Sequence, residues 1–387
     1  MKMNLDILLG LRIIRFLIIC LFCISPILVE QIKAEEEATS EILKEQKMSV
    51  FLISAKTGND GASGTGFACK YKGNNYIATN LHVVDGFDSL SIIPQSGDKI
   101  PLSGKIIVAE DADICLLGVN IKFEDIDIVP LQFMDDVSAG SKAGDKIICL
   151  GNSLGAGVIT TTHGTIKAYG QPRLEIESPV VEGNSGGPII HLETSSVVGL
   201  VTEAIINEVK LDKLNEAAKK SVDSELAEVS YFGHRVDSVK KWKSYAFTDF
   251  QKTGKKIKNA ELGLTRTLQF FTDEDDWRED SRLSNAWDKY QKFIDSSDKV
   301  NTKRTETTEY VNEYGVVMRR SSQVKGFSVS EADYEKARQL FRREIEWKIL
   351  AEQKILTDLT PAGYLQIHER DMLIEFSKKL LILHKDL

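Results

Sequence analysis

Cysteine is scarce in this chain: there are five in 387 residues. Cys20 and Cys23 fall in an N-terminal leader, which leaves Cys69, Cys115 and Cys149. Three thiols cannot all pair, and each lies in an apolar, strand-like stretch where a free cysteine packs as a small hydrophobe. No disulfide framework is therefore expected. Cysteines and histidines do not recur at zinc-binding spacings, so neither a metal nor a cofactor is expected. Positive charge is also in short supply, with 49 Lys and Arg against 57 Asp and Glu. The net charge is −8, and −10 without the first 34 residues, which carry a net +2. That balance excludes the basic footprint of a nucleic-acid binder. Long hydrophobic runs are missing too. The apolar run from Phe16 to Val29 has 14 residues, fewer than the roughly 20 that a membrane-spanning helix requires.

What is present begins with an address. Lys2, Arg12 and Arg15 precede the apolar run, as in an export signal. Residues 1–34 read as a signal peptide cleaved after Ala34 or, because Ile32 sits where a small residue is preferred, as a retained membrane anchor. Either way the protein is expected outside the cytoplasm, periplasmic or secreted. Residues 35–47 form a polar, helix-compatible lead-in. A hydrophobic content of 42% over this length allows two or three domains with real cores.

From residue 48 onward, short β-branched runs alternate with Gly, Asn and Asp, the texture of antiparallel β structure. Strands are expected at 48–54, 64–71, 76–79, 89–93, 104–110 and 114–119. After a polar break from Asn120 to Asp145, six more are expected at 146–150, 164–168, 173–178, 188–191, 197–201 and 229–234. Two sets of six suit two closed barrels, over about 48–130 and 140–236, because closure removes exposed sheet edges. Residues 207–225, rich in Lys, Glu and Ala, read as a helical insertion. A helix at 238–242 is expected to close this domain, which spans 48–245.

Residues 246–387 read as a mostly α-helical domain. Ala337, Leu340, Phe341, Ile345 and Ile349 recur at helical spacing, Ser330 with Asp333 resembles a capping box, and Thr360-Pro361 reads as a helix start. The fold class is thus mainly β, with two six-stranded antiparallel barrels followed by a mostly α-helical region.

The chemistry concentrates in three stretches. Gly183-Asn184-Ser185-Gly186-Gly187-Pro188 sets a serine among glycines that free its backbone to expose the hydroxyl. A serine hydroxyl is a weak nucleophile at neutral pH and needs a base titrating near 7, which is imidazole. His82, in Thr79-Asn80-Leu81-His82-Val83-Val84, is the candidate. His163 is a second histidine that could line the site. The imidazole in turn needs an acceptor on its other nitrogen to set tautomer and orientation. Asp113, opening onto Ile114-Cys115-Leu116-Leu117, is chosen over Asp111, which shares its strand face, and over Asp85, which reads as a turn residue. The N–H groups of Gly183 and Ser185 are the candidate oxyanion donors.

These residues resemble the trypsin-like serine protease superfamily, and in particular its bacterial HtrA (Deg) branch. The likeness runs from about Ser63 to Trp242 through Gly64-Thr65-Gly66-Phe67, the Thr79 to Gly86 stretch, Asp113 to Leu117, Leu150-Gly151-Asn152-Ser153-Leu154-Gly155, Gly164-Thr165-Ile166 and Gly183 to Pro188. It implies two barrels with a triad in the cleft between them and peptide-bond hydrolysis through an acyl-enzyme. The expected substrates are unfolded or envelope proteins. It also implies that Pro179, Val201, Thr202 and Glu203 border a modest apolar pocket suited to Val or Ala. Asn184 stands where zymogen-activated relatives carry an acid, which implies activity without propeptide removal. No PDZ-like sequence follows the protease domain, so peptide-sensing allostery is not expected. The helical region is left as a self-association or partner-docking surface. The competing reading is a catalytically silent scaffold that binds unfolded proteins on the same fold.

Overall fold

A computed structural model of the chain describes residues 42–58, 60–95, 98–207, 228–272, 274–298, 306–311, 316–322 and 331–386. The leader, nearly all of the 207–225 insertion and the Ser330 cap lie outside the described residues.

The first set of strands comprises β1 (Val50–Thr57), β2 (Asp60–Tyr71), β3 (Asn74–Thr79), β4 (Ser89–Ile93), β5 (Leu102–Ala109) and β6 (Cys115–Val119). It does not make the expected six-stranded closed barrel. A seventh strand, β13 (Trp242–Ala246), joins it, and the sheet runs β13-β5-β6-β3-β2-β1-β4. The helix expected at 238–242 is replaced by a turn that leads into β13. The physical reason is non-local: β13 pairs antiparallel with β5, Trp242 opposite Ala109 and Ala246 opposite Lys105.

Side chains alternate across a strand, and here both faces are buried. Ile77, Ile106, Val108, Cys115 and Leu117 join one core, which also receives Phe247, Phe250 and Ala362 from the helical region. Their neighbours Tyr76, Ala78, Ile107, Ala109 and Leu116 join a second core, shared with Ile148, Leu150, Ile190 and Leu200 of the second barrel. A sheet covered on both sides explains why runs such as Ile114 to Leu117 are apolar throughout instead of alternating.

The second set closes as expected. Strands β7 (Lys146–Gly151), β8 (Thr160–Tyr169), β9 (Arg173–Glu177), β10 (Pro188–His191), β11 (Ser196–Asn207) and β12 (Glu228–His234) form a barrel in the order β10-β11-β12-β9-β8-β7. Ile147, Cys149, Ile166, Leu174, Ile176, Ile189 and Val198 fill it.

A short helical segment, α1, covers 42–48; α2 (Leu81–Val84) and α3 (Val137–Gly140) are single turns within the β region. Beyond it come α4 (Phe247–Thr272), α5 (Ser281–Asp298), α6 (Glu331–Asp358) and α7 (Gly363–Leu383). A hairpin of β14 (Glu306–Val311) and β15 (Val317–Ser322) interrupts the helices, which the sequence pattern did not signal. Phe341, Ile345 and Ile349 of the α6 stripe are buried with Ile257, Trp277, Leu356 and Leu380, while Leu340 is exposed. The start of α7 also departs from expectation. Ala362, not Thr360, is its N-cap, and the Ala362 N–H is taken by Gln366 Oε1 at 2.9 Å. Among the described residues no helix is long and apolar enough to cross a membrane.

Candidate active site

Strand β3 ends at Thr79, and the extended backbone of Asn80 turns the chain into α2. In this one turn Leu81, Val83 and Val84 are buried, while the His82 side chain is 39% exposed. Three apolar anchors thus hold the turn to the sheet and leave the imidazole facing outward. Asp113 reaches it from the β5–β6 connection. One carboxylate oxygen accepts the His82 backbone N–H at 3.1 Å, and the other lies 2.5 Å from Nδ1. A carboxylate accepts, so Nδ1 is the donor side of this contact. Asn80 Nδ2 donates to the Asp113 carbonyl at 2.7 Å. The rival acids face elsewhere. Asp111 Oδ2 accepts from Lys240 N at 2.9 Å, and Asp85 Oδ1 accepts from Gln366 Nε2 at 2.6 Å.

The serine loop is pinned to the same place. Gly183 and Gly186 adopt φ of +89° and +82°, a region open to glycine and costly for other residues. A Cβ on Gly186 would stand 3.0 Å from Asn80 N, and one on Gly64 would strike Val83 while lying 3.2 Å from the Ser185 carbonyl oxygen. The serine loop therefore lies against the start of the His82 turn through Gly186, and Gly64 lies between Val83 and the Ser185 carbonyl. The Ser185 hydroxyl lies 3.4 Å from the Thr202 carbonyl oxygen, a long hydrogen bond. Among the described residues, the N–H groups of Gly183 and Ser185 have no protein acceptor.

Thr65, quoted in the Gly64-Thr65-Gly66-Phe67 motif but given no role there, ties these parts together. It is fully buried. Its N–H donates to the Ser185 carbonyl at 2.8 Å, and its hydroxyl donates to the Gly183 carbonyl at 2.7 Å. The same hydroxyl accepts Asn152 N–H at 2.9 Å, and its carbonyl accepts the Thr79 hydroxyl at 2.7 Å. Asn184 is buried with Oδ1 3.0 Å from the Ser153 hydroxyl, and Glu182 is exposed.

Two of the expected pocket residues border the serine loop: the Gly186 N–H donates to the Val201 carbonyl at 2.8 Å, and the Thr202 carbonyl faces the Ser185 hydroxyl. Pro179 is exposed. Val201 is 3% exposed, its side chain packed in the barrel core with Val180 and Ile189. Thr202 sits at a register shift in the β11–β12 pairing, with Glu203 opposite Phe232. His163 is an exposed residue on β8 opposite Ile148. Among the described residues, no group of three His, Cys, Asp or Glu side chains is arranged to hold a metal ion.

A glycine-flanked serine and a histidine whose Nδ1 is held by a buried carboxylate are the residue types that serine hydrolases combine. Residues 64–200 match the family model described as trypsin-like peptidase domain. A probable periplasmic serine endoprotease, DegP-like, of Brucella suis biovar 1 is 31% identical over 150 residues, covering 36% of this chain and 27% of that protein. A DegP-like protein of Chlamydia pneumoniae is 28% identical over 155 residues, 38% of this chain and 30% of its own length. The chain thus matches less than a third of the length of these relatives. Among solved structures, the HtrA-type protease AlgW with tripeptide aligns at 19% identity and a TM-score of 0.39, covering 52% of this chain and 60% of that one.

Proposed function

We propose that this chain is an exported serine endopeptidase that cleaves unfolded or envelope proteins through an acyl-enzyme. The observation that carries the reading is the double grip of Asp113 on His82, at the backbone N–H and at Nδ1. It leaves Nε2 as the basic nitrogen of a half-exposed imidazole, the state a general base requires.

In the proposed reaction Ser185 Oγ attacks the scissile carbonyl carbon while its proton passes to His82 Nε2. Asp113 stabilises the imidazolium that results. The oxyanion is received by the N–H groups of Gly183 and Ser185, each such donor contributing on the order of 3 kcal/mol. The imidazolium then protonates the leaving amine and the carbon–nitrogen bond breaks, leaving the acyl group on Ser185. Water attacks that ester, its proton going again to His82, and the acid product leaves as Ser185 recovers its proton. The names of the DegP-like relatives support a peptidase, and a periplasmic setting.

The test is Ser185→Ala. Wild-type protein is expected to hydrolyse an unfolded protein and to be labelled by a fluorophosphonate, and the variant to do neither. Labelling that survives the substitution, or a wild-type protein that binds unfolded chains without ever reacting, would overturn the reading.

A further inference from the structure

The four residues that follow α2 are gripped by side chains from beyond residue 246. Asp85 accepts from Gln366 Nε2 at its carboxylate, at 2.6 Å, and from Lys258 Nζ at its carbonyl, at 2.7 Å. Gly86 lies under the Lys258 stem, so closely that a Cβ there would stand 2.5 Å from Lys258 Cδ. The Phe87 carbonyl accepts from Gln251 Nε2 at 3.0 Å, and its ring carries the Lys258 ammonium 4.2 Å from the centroid. Asp88 pairs with Lys255 at 2.5 Å.

Gln366 is the hub of this contact. It is fully buried. Its Oε1 accepts the Ala362 N–H, and its Nε2 donates to both the Phe250 carbonyl, at 3.0 Å, and Asp85. Capping α7 needs the oxygen alone; the amide nitrogen is committed to α4 and to the residue that ends α2. From the other side, Gly254 approaches Asp85 so nearly that a Cβ there would fall 2.0 Å from Oδ1.

Alpha-helical turns this short are not stable by themselves. The turn carrying His82 closes with the Asp85 N–H bond to the Leu81 carbonyl at 2.9 Å. Asn80 and Asp113 hold its amino-terminal end from within the first sheet, and its carboxy-terminal end is held by the helical region. We propose that Gln366 is a positioning residue for His82, acting through Asp85, so that the helical region is a working part of the active site. The proposal rests on the reading of His82 as general base.

The experiment uses the full chain with Gln366→Leu, the milder Gln366→Asn, whose shorter side chain cannot span to Asp85, and a fluorophosphonate as probe. The maximal labelling rate is expected to fall at least about tenfold, with the half-saturating probe concentration unchanged, because positioning acts on the chemical step and not on binding. In a Ser185→Ala background, the low-field NMR signal of the His82 Nδ1 proton is expected to shift or broaden in either variant. If a folded variant, shown by a cooperative thermal transition, labels at the wild-type rate and keeps that signal, the proposal is overturned. Should Gln366→Leu fail to fold, Gln366→Asn decides. His82→Ala separates the two questions: undiminished labelling there removes the reading of the site itself, whatever Gln366 does.

Discussion

Thr65 connects the serine loop to the first sheet and to Asn152 through one hydroxyl and one peptide group. Thr65→Val keeps the shape and deletes the hydroxyl, leaving the Asn152 N–H and the Gly183 carbonyl without their partner in a buried place. An unsatisfied buried group costs about 1–3 kcal/mol, and here the cost falls beside the proposed oxyanion donors. The variant is expected to lose stability by about that amount for each of the two groups in denaturant titration and to label more slowly with a fluorophosphonate. Residues at this scale were legible in proportion to how far their chemistry restricts their type. Ser185, His82 and Asp113 stand out because few side chains can replace them in a triad. Thr65 does not, since a threonine between two glycines is unremarkable until its four partners are known. Asp85 was legible as a turn residue, but its burial was not, because the groups that cover it lie far along the chain.

The contact between α2 and the helices contains two acids at a cost. Burial pushes the Asp85 carboxyl up to about 6, partly offset by Gln366, Lys258 and the Gly86 N–H, while Asp113 adds to the rise. Burial likewise pushes Glu369 up to about 7, helped by the charges of Asp85, Glu261 and Asp113 and opposed by Lys258. For acids raised in the fold, the folded chain binds protons that the unfolded chain has released. Stability is therefore greatest below the ordinary carboxylate range and declines as pH rises through about 6 for Asp85 and about 7 for Glu369. Removing the charge should relieve this. Glu369→Gln is expected to raise the melting temperature near pH 8, with the gap closing toward about pH 5. Asp85→Asn is expected to stabilise at neutral pH by no more than about 3 kcal/mol, the equivalent of about two pH units. A gap in melting temperature between wild type and variant that stays the same at every pH, for both variants, would contradict this account. At this scale the sequence pattern located all twelve strands of the two sets, since β-branched runs between turn residues are a local signal. It missed β13, whose strand character comes from the β5 edge it completes, and it missed the start of α7, where a side chain four residues ahead supplies the cap.

Across the whole molecule, the helical region covers one face of the first sheet. Phe247, Phe250 and Ala362 complete the core made by Phe51, Ile77, Ile106 and Val108, and burying a phenylalanine of this kind contributes about 1.5–3 kcal/mol. A chain cut after Ala246 is expected to lose its cooperative thermal transition and to bind a hydrophobic dye such as ANS; a truncated chain that melts like the full one would show that the β region stands alone. No sequence pattern announces this dependence, because the pairing of Asp85 with Gln366 spans 281 residues. The pairing of β13 with β5 joins residues 242–246 to 105–109 across the entire second barrel. During synthesis the first sheet must therefore wait for its outer strand until the second barrel has been made. A product that stops short leaves β5 as an open edge, and a ribosome part-way through the message holds no finished cleft.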